Sequence, residues 1–220
     1  MLELHLFVNP LGMRCLRCEK DVLQIDHDLN TKISYQFVPL FNMKTINNTI
    51  DLYHLNPHDL AIRQRVSKTL NQVILDYKAA LFQGRKRGRH YLLLLQSALI
   101  KKGLNYSDEL ANKIAADSNL DIEMFLEDRQ SQLAKQAFRQ DQKIANDLGV
   151  SETATAVVFN TNDSDYGLMI PNFNYDTLIN AFKSGELSPK ASLNDLASNY
   201  QAPKLKILAL RQEVLIGKIE

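Results

Sequence analysis

Hydrophobic and polar residues alternate at the start of the chain, where one side of the pattern carries Leu2, Leu4, Leu6 and Val8. A period of two predicts a β-strand with at least one buried face. Asn9-Pro10 ends the pattern, and apolar residues then recur at helical spacing over residues 13–29. A second strand is predicted over residues 33–38. The chain therefore opens with a βαβ unit, whose strands we expect to be parallel with a right-handed crossover.

The next stretch changes from loop-like to helical composition. Residues 41–55 are rich in Asn and predict a loop. Asn56-Pro57 places a capping residue before a proline, which is typical of a helix start. Apolar residues spaced by three and four then continue to Leu81 and predict an amphipathic helix.

Helical patterns continue as far as residue 149. One helix is predicted over residues 88–102, and Ser107 is expected to cap another. Asp121 is expected to cap a last helix that reaches residue 149. Because no strand pattern interrupts residues 57–149, this block is predicted to be all-helical.

Strand character returns after the helical block. Residues 155–159 and 166–170 are apolar runs joined by a polar turn, which predicts a hairpin. A helix is predicted over residues 175–184. Residues 192–195 have the spacing of a weak capping box. The apolar residues 205–219 are compatible with a strand and with a helix.

The order βαβ, helical block and ββα predicts the fold class. It is an α/β protein with a thioredoxin-like fold that is interrupted by an all-helical inserted domain. The predicted thioredoxin-like domain comprises residues 1–56 and 150–187. The inserted helical domain is predicted at residues 57–149, and a C-terminal extension at residues 188–220.

Composition excludes several classes of function. The chain has 220 residues, 45% hydrophobic and 23% charged, with a net charge of +1. This charge does not favour nucleic acid as a partner. No apolar run approaches the roughly 20 residues of a membrane span, and no export signal opens the chain. A cytoplasmic location is therefore expected.

The two cysteines, Cys15 and Cys18, are the candidate chemistry. A CxxC pair just after the first strand of a βαβ unit is where thioredoxin-like redox sites lie, since a helix N-terminus favours a thiolate. Zinc is disfavoured because it needs three or four ligands and no histidine has a matching spacing. No metal site is expected. The alternative is that both cysteines are small apolar side chains buried within a helix.

Several segments together resemble the DsbA family of thioredoxin-like proteins. The residues FVNPLGMRC, ending at Cys15, resemble the first strand and the active-site turn of that family, and YKAALFQGRKRGRHYLLLLQ, from Tyr77, resembles its inserted helical domain. NLDIEMFLED and FRQDQK, from Asn119 and Phe138, resemble later helices of the insertion. The branch resembled is the cytosolic one, which includes FrnE-type dithiol-disulfide isomerases and the SpxH (YjbH) adapters.

Two departures from the family pattern matter. With the Asn-Pro-Leu turn aligned, Gly12 falls on the attacking cysteine, Cys15 on the resolving one, and Cys18 one helical turn further on. Ala154 falls where the fold has a cis-proline. Because a cis bond before a residue other than proline costs about 2.5–4 kcal/mol, the peptide before Ala154 is expected to be trans. The loop would then lose the shape that receives an extended substrate strand.

The resemblance and its departures imply a redox-degenerate scaffold. An SpxH-like adapter would hold an Spx-like regulator and promote its degradation by the ClpXP protease. The expected binding residues follow the first strand (Leu11, Gly12, Met13 and Arg14) and precede the returning strand (Thr153, Ala154 and Thr155).

The alternative is an enzyme, a dithiol-disulfide oxidoreductase or isomerase acting on a thiol client protein. Cys15 would attack and Cys18 would resolve the mixed disulfide. Such chemistry needs no cofactor, only an outside reductant. Kappa-class glutathione transferases share the split architecture, but Gly12 offers no counterpart to their activating serine.

Overall fold

A computed structural model describes residues 2–28, 33–160, 166–185, 187 and 206–209. The chain divides into two compact units. The sheet unit takes its described residues from segments 1–8, 17–38 and 144–220, and the helical unit consists of residues 9–16 and 39–143. The domain boundaries given above stay a prediction. In the described part of the chain, no helix is long and apolar enough to cross a membrane.

The sheet unit contains a five-stranded sheet in the order β2-β1-β3-β4-β5. The strands are β1 (Leu2–Val8), β2 (Ile33–Pro39), β3 (Thr155–Asn160), β4 (Tyr166–Pro171) and β5 (Lys206–Ala209). Strands β1 and β3 are antiparallel, with Leu2 opposite Asn160 and Phe7 opposite Thr155. Strands β3 and β4 form the predicted antiparallel hairpin, and β5 continues the antiparallel order. The thioredoxin-like fold class is thereby confirmed.

Strand β1 is buried along almost its whole length, and it is a central strand between β2 and β3. The sequence predicted at least one buried face, and the structure buries residues of both faces. Strands β1 and β2 are neighbours in the sheet, as the predicted βαβ unit requires. That these two strands run parallel stays a prediction. Of the ambiguous segment 205–219, β5 is a strand, and the rest lies outside the described residues, as does the predicted capping box at 192–195.

Eight α-helices are described. They are α1 (Met13–Asp28), α2 (Met43–Leu52), α3 (Leu60–Phe82), α4 (Arg85–Gln96), α5 (Asp108–Asp117), α6 (Ile122–Asp128), α7 (Gln132–Asp147) and α8 (Tyr175–Lys183). A π-helical turn, Ser97–Lys101, extends α4. Ser107 and Asp121 cap α5 and α6 as predicted, each accepting a backbone N–H of the first turn.

The predicted loop at residues 41–55 is wrong, because α2 occupies most of it. Asn42 caps this helix: its side chain accepts the Thr45 N–H, and the Thr45 side chain binds back to the Asn42 backbone. Ile46 and Ile50 of α2 enter the hydrophobic core of the helical unit. Asparagine is common at helix caps as well as in loops. The Asn-rich composition of residues 41–55 therefore does not distinguish a loop from a capped helix.

Two predicted helix bounds are also wrong. Helix α3 begins at Leu60 and not after Asn56, because Asp59 supplies the cap by accepting the N–H groups of Ala61 and Ile62. The long helix predicted from Asp121 to residue 149 is two helices. Ser131 accepts the Ala134 N–H at 3.1 Å and so starts a second helix within the predicted one.

Candidate functional site

The turn after β1 is held by Asn9. Its side-chain oxygen accepts the Leu11 N–H at 3.0 Å, and its amide donates to the Thr49 hydroxyl at 2.9 Å. Its backbone carbonyl accepts the Gly12 N–H at 2.9 Å. Asn9 is 3% exposed, so these bonds are protected from water. They tie the turn to α2 within the helical unit.

Gly12 caps the N-terminus of α1. Its carbonyl accepts the Leu16 N–H at 3.1 Å, the first bond of the helix. A Cβ atom placed on Gly12 would lie 3.4 Å from the Cys15 Sγ and 3.2 Å from the Asn9 carbonyl oxygen. Because bonded sulfurs are about 2.05 Å apart, a sulfur at position 12 could reach the Cys15 sulfur. Gly12 thus occupies a position from which a thiol could pair with Cys15.

Cys15 is the third residue of α1 and is 2% exposed. Its Sγ accepts the backbone N–H of Asn9 at 3.2 Å. The sulfur therefore lies inside the turn, and an incoming disulfide has little access to it. Its neighbours Met13 and Arg14 are half-buried and exposed, respectively, so the outer surface of the turn carries a methionine and a cation.

Cys18 lies in the sheet unit and is also 2% exposed. Its thiol donates to the Phe173 carbonyl at 2.9 Å, and neither cysteine is in a disulfide. As a hydrogen-bond donor to a backbone carbonyl, Cys18 acts as a protonated structural thiol. No pattern in the sequence predicted this role of Phe173.

The peptide bond between Thr153 and Ala154 is cis, so the expected trans bond is wrong. The expectation used the intrinsic preference of an isolated peptide. In the folded chain Ala154 is 1% exposed and its carbonyl accepts the Phe173 N–H at 3.0 Å, so tertiary contacts decide the geometry. The expected loss of the substrate-receiving shape therefore has no basis. Thr155 is the first residue of β3 and is buried, while Thr153 is half-buried.

The predicted site residues thus fall into two groups. The turn brings together Leu11, Gly12, Met13, Arg14 and Cys15 in the helical unit. The sheet unit brings Cys18 and Ala154 together through the backbone of Phe173. Asn9 was missed as an organising residue, although an Asn at the start of a turn is a known signal for side-chain-to-backbone bonding.

A cavity of about 430 Å³ opens in the helical unit beside the turn. Leu11 of the turn lines it, together with residues of α2, α3 and the segment before α5. The Tyr53 hydroxyl donates to the Leu11 carbonyl at 3.4 Å. The sequence did not predict this cavity, because residues 41–55 were assigned to a loop.

A buried ion pair supports one wall of this cavity. Asp76 is fully buried and binds Arg129 through two hydrogen bonds, of 2.8 and 3.1 Å. The Tyr106 hydroxyl donates to Asp76 at 2.6 Å and accepts from Arg129 at 2.7 Å. Burial, and then the Asp76 charge, raise the pKa of Tyr106. Tyr106 is therefore a fixed, neutral ring at the cavity wall.

The described fold and turn define a class, the thioredoxin-fold proteins with a glycine at the helix cap that follows the first strand. The profile of the family Thioredoxin_5, described as thioredoxin, matches residues 5–181, and the chain belongs to this family.

Curated relatives point to one branch. The ClpXP adapter protein SpxH of Bacillus cereus is 29% identical over 200 residues, which cover 82% of this chain and 67% of that protein. SpxH of Bacillus subtilis is 29% identical over 192 residues, covering 80% and 64%. The chain therefore spans about two thirds of the length of these relatives. SpxH of Staphylococcus saprophyticus is 23% identical over 237 residues, covering 97% and 86%.

Solved structures show the same fold. The cytosolic disulfide reductase DsbM of Pseudomonas aeruginosa has a TM-score of 0.58 at 16% identity, covering 84% of this chain and 98% of that one. The thiol-disulfide exchange protein α-DsbA2 of Wolbachia pipientis has a TM-score of 0.55 at 16% identity, covering 85% and 82%. The resemblance to the DsbA family and its SpxH branch is thereby confirmed.

Proposed function

We propose that this chain is a protein-binding adapter of the SpxH type with a degenerate redox site. It binds an Spx-like regulator in the cytoplasm and presents it to the ClpXP protease. The SpxH relatives support this function, and so does the geometry of the turn. The observation that carries the proposal is Gly12 at the cap of α1, where the resembled family has its nucleophile.

The cysteines fit the adapter better than the enzyme. A dithiol catalyst needs an accessible thiolate, and Cys15 is 2% exposed within its turn. Cys18 donates its proton to a backbone carbonyl and is equally buried. In the adapter, both side chains serve the packing of their own unit.

The partner surface proposed here includes the outer side of the turn. Met13 and Arg14 are accessible there, on a backbone that Asn9 holds rigidly. Exposed cations steer acidic partners and set their register. The second group of predicted binding residues comprises Thr153, Ala154 and Thr155. Because Ala154 and Thr155 are buried, Thr153→Lys is the variant that tests this group.

The second candidate is a dithiol-disulfide oxidoreductase or isomerase. One contact favours it: the N–H of Asn9 donates to the Cys15 sulfur, and such donors favour a charged acceptor. In that case Cys15 would attack a client disulfide and Cys18 would resolve it. Insulin reduction by the purified protein, lost in Cys15→Ser, is the result that would establish this function.

A reconstituted degradation assay tests the adapter directly. The chain is mixed with ClpXP and Spx from the same organism, and loss of Spx is followed by gel. We expect the chain to accelerate degradation at substoichiometric amounts, since an adapter is released and reused. Arg14→Glu should weaken the acceleration, and Arg17→Glu, an exposed cation outside the turn, serves as the matched control. No acceleration by the unmodified chain would contradict the proposal.

A further inference from the structure

The cavity beside the turn has an apolar interior. Five aliphatic side chains line it, namely Leu11, Leu55, Val66, Leu99 and Leu104. Leu11, Val66 and Leu99 are buried, whereas Leu55 and Leu104 are 36% and 47% exposed. The volume of about 430 Å³ falls in the range of ligand pockets. The floor is therefore part of the hydrophobic core, and the rim is apolar surface in contact with water.

Three polar groups of the wall are already engaged within the protein. The Thr49 hydroxyl donates to the Thr45 carbonyl at 2.8 Å and accepts from the Asn9 amide. Tyr53 donates to the Leu11 carbonyl, and Tyr106 is bound to Asp76 and Arg129. These residues present mainly their methyl group and rings to the cavity. A guest meets apolar surface over most of the wall.

One of the exposed residues that line the cavity is charged. Arg65 is the one charged residue among those that line the cavity. Arg65 and Asn105 are exposed, and Thr69, which also lines the cavity, is half-buried. No carboxylate among the described residues forms an ion pair with Arg65. Arg65 therefore adds an exposed cation to the lining of an apolar pocket, and no other charge of that lining compensates it.

We propose that this pocket receives an apolar side chain of a partner peptide that has an acidic residue close by in sequence, whose carboxylate pairs with Arg65. Charge complementarity selects the acid, and the aliphatic interior selects the anchor. The exposed apolar rim favours a peptide over a small enclosed ligand, because such patches mark sites of protein association. This inference rests on the proposed adapter function and names the chemistry of its partner.

Peptide selection tests the inference without knowledge of the partner. Random peptides displayed on phage are selected on the full chain, and the enriched peptides are synthesised with a fluorescent label. Anisotropy should show binding by peptides that combine a Leu, Ile, Phe or Tyr anchor with a nearby Asp or Glu. Replacing the acid by its amide, or the anchor by Ser, should each weaken binding about tenfold.

Pocket variants locate the binding. Arg65→Gln should weaken the peptides about tenfold, the loss expected for one charge-assisted contact. Leu104→Asp should abolish binding, because it places a carboxylate beside the entrance, where it competes for Arg65. Lys68→Gln removes an exposed cation of the same helix that does not line the cavity, and it should bind like the unmodified chain. Circular dichroism confirms that each variant is folded.

The outcomes separate the pocket from the adapter function. Enriched peptides without the apolar–acidic pair, no enriched peptide, or binding that Arg65→Gln and Leu104→Asp leave unchanged would each overturn the inference. If those two variants still accelerate Spx degradation as the unmodified chain does, the pocket is not the partner site although the adapter function stands. If peptides bind at the pocket but the chain does not accelerate Spx degradation, the inference about the pocket stands and the proposed adapter function is wrong.

Discussion

Gly12 determines what the first turn can do chemically. It caps α1 and leaves the cap without a side chain, while the Cys15 sulfur fills the inside of the turn. A thiolate at a helix cap is stabilised by N–H groups that lack helical partners, and Gly12 cannot provide one. The sequence predicted this substitution from the Asn-Pro-Leu alignment, whereas the burial of Cys15 needed the structure.

Gly12→Cys should create a working dithiol. The added Cβ would lie 3.4 Å from the Cys15 sulfur, close enough for a disulfide to form between positions 12 and 15. After mild oxidation, mass spectrometry should show the loss of two hydrogens and a 12–15 cross-linked peptide. Gly12→Ser is the control, since it has the same crowding at the Asn9 carbonyl without a thiol. Absence of the cross-link would show that Gly12 is not in the nucleophile position.

Asn9→Ala should destabilise the protein by about 2 to 4 kcal/mol, because it removes an acceptor for the Leu11 N–H and a donor to Thr49 in a buried turn. Urea unfolding followed by circular dichroism measures this loss. Asn48→Ala is the matched control, since Asn48 is exposed on α2, and its effect should be within error. Equal stability of the two variants would contradict the role assigned to Asn9.

At the scale of elements, periodicity predicted most of the strands and helices, and local capping decided the rest. The strands of the hairpin and helices α1 and α8 have nearly the predicted bounds. Helix α2 was missed because Asn42 and Thr45 form a capping box within a segment that is polar in composition. The break between α6 and α7 was missed because Ser131, which caps α7, lies within a continuous helical pattern of apolar residues.

Tyr106 should make the stability of the helical unit depend on alkaline pH. Its pKa in the folded protein is raised above the ordinary value of 10.0, mainly by burial and then by Asp76. The folded state therefore keeps the phenol proton more tightly, so the stabilisation is complete below pH 10 and is lost as the pH rises beyond it. Urea midpoints should fall between about pH 9 and about pH 11.

The variant Tyr106→Phe separates this effect from other groups that titrate in the same range. It should be less stable than the unmodified chain at about pH 9, because the bond to Asp76 is lost. Its urea midpoint should nevertheless fall less between the two pH values, since position 106 no longer titrates. An equal fall in both proteins would contradict the account of Tyr106.

At the scale of the whole molecule, the same fold supports enzymes and binding proteins, so the fold class alone does not assign a function. The turn, the buried cysteines and the SpxH relatives together favour binding. The sequence predicted the fold and the altered turn. It could not predict the cis peptide before Ala154 or the cavity, because both depend on residues distant in the chain.

Presentation of a partner by this chain should need neither cysteine. The direct measurement is the rate of Spx degradation by ClpXP with the double variant Cys15→Ser and Cys18→Ser, compared with the unmodified chain after both are shown to be folded. We expect equal acceleration by the two proteins, and no insulin reduction by either. Acceleration that disappears with the cysteines, together with insulin reduction by the unmodified chain, would contradict the account and identify a catalyst.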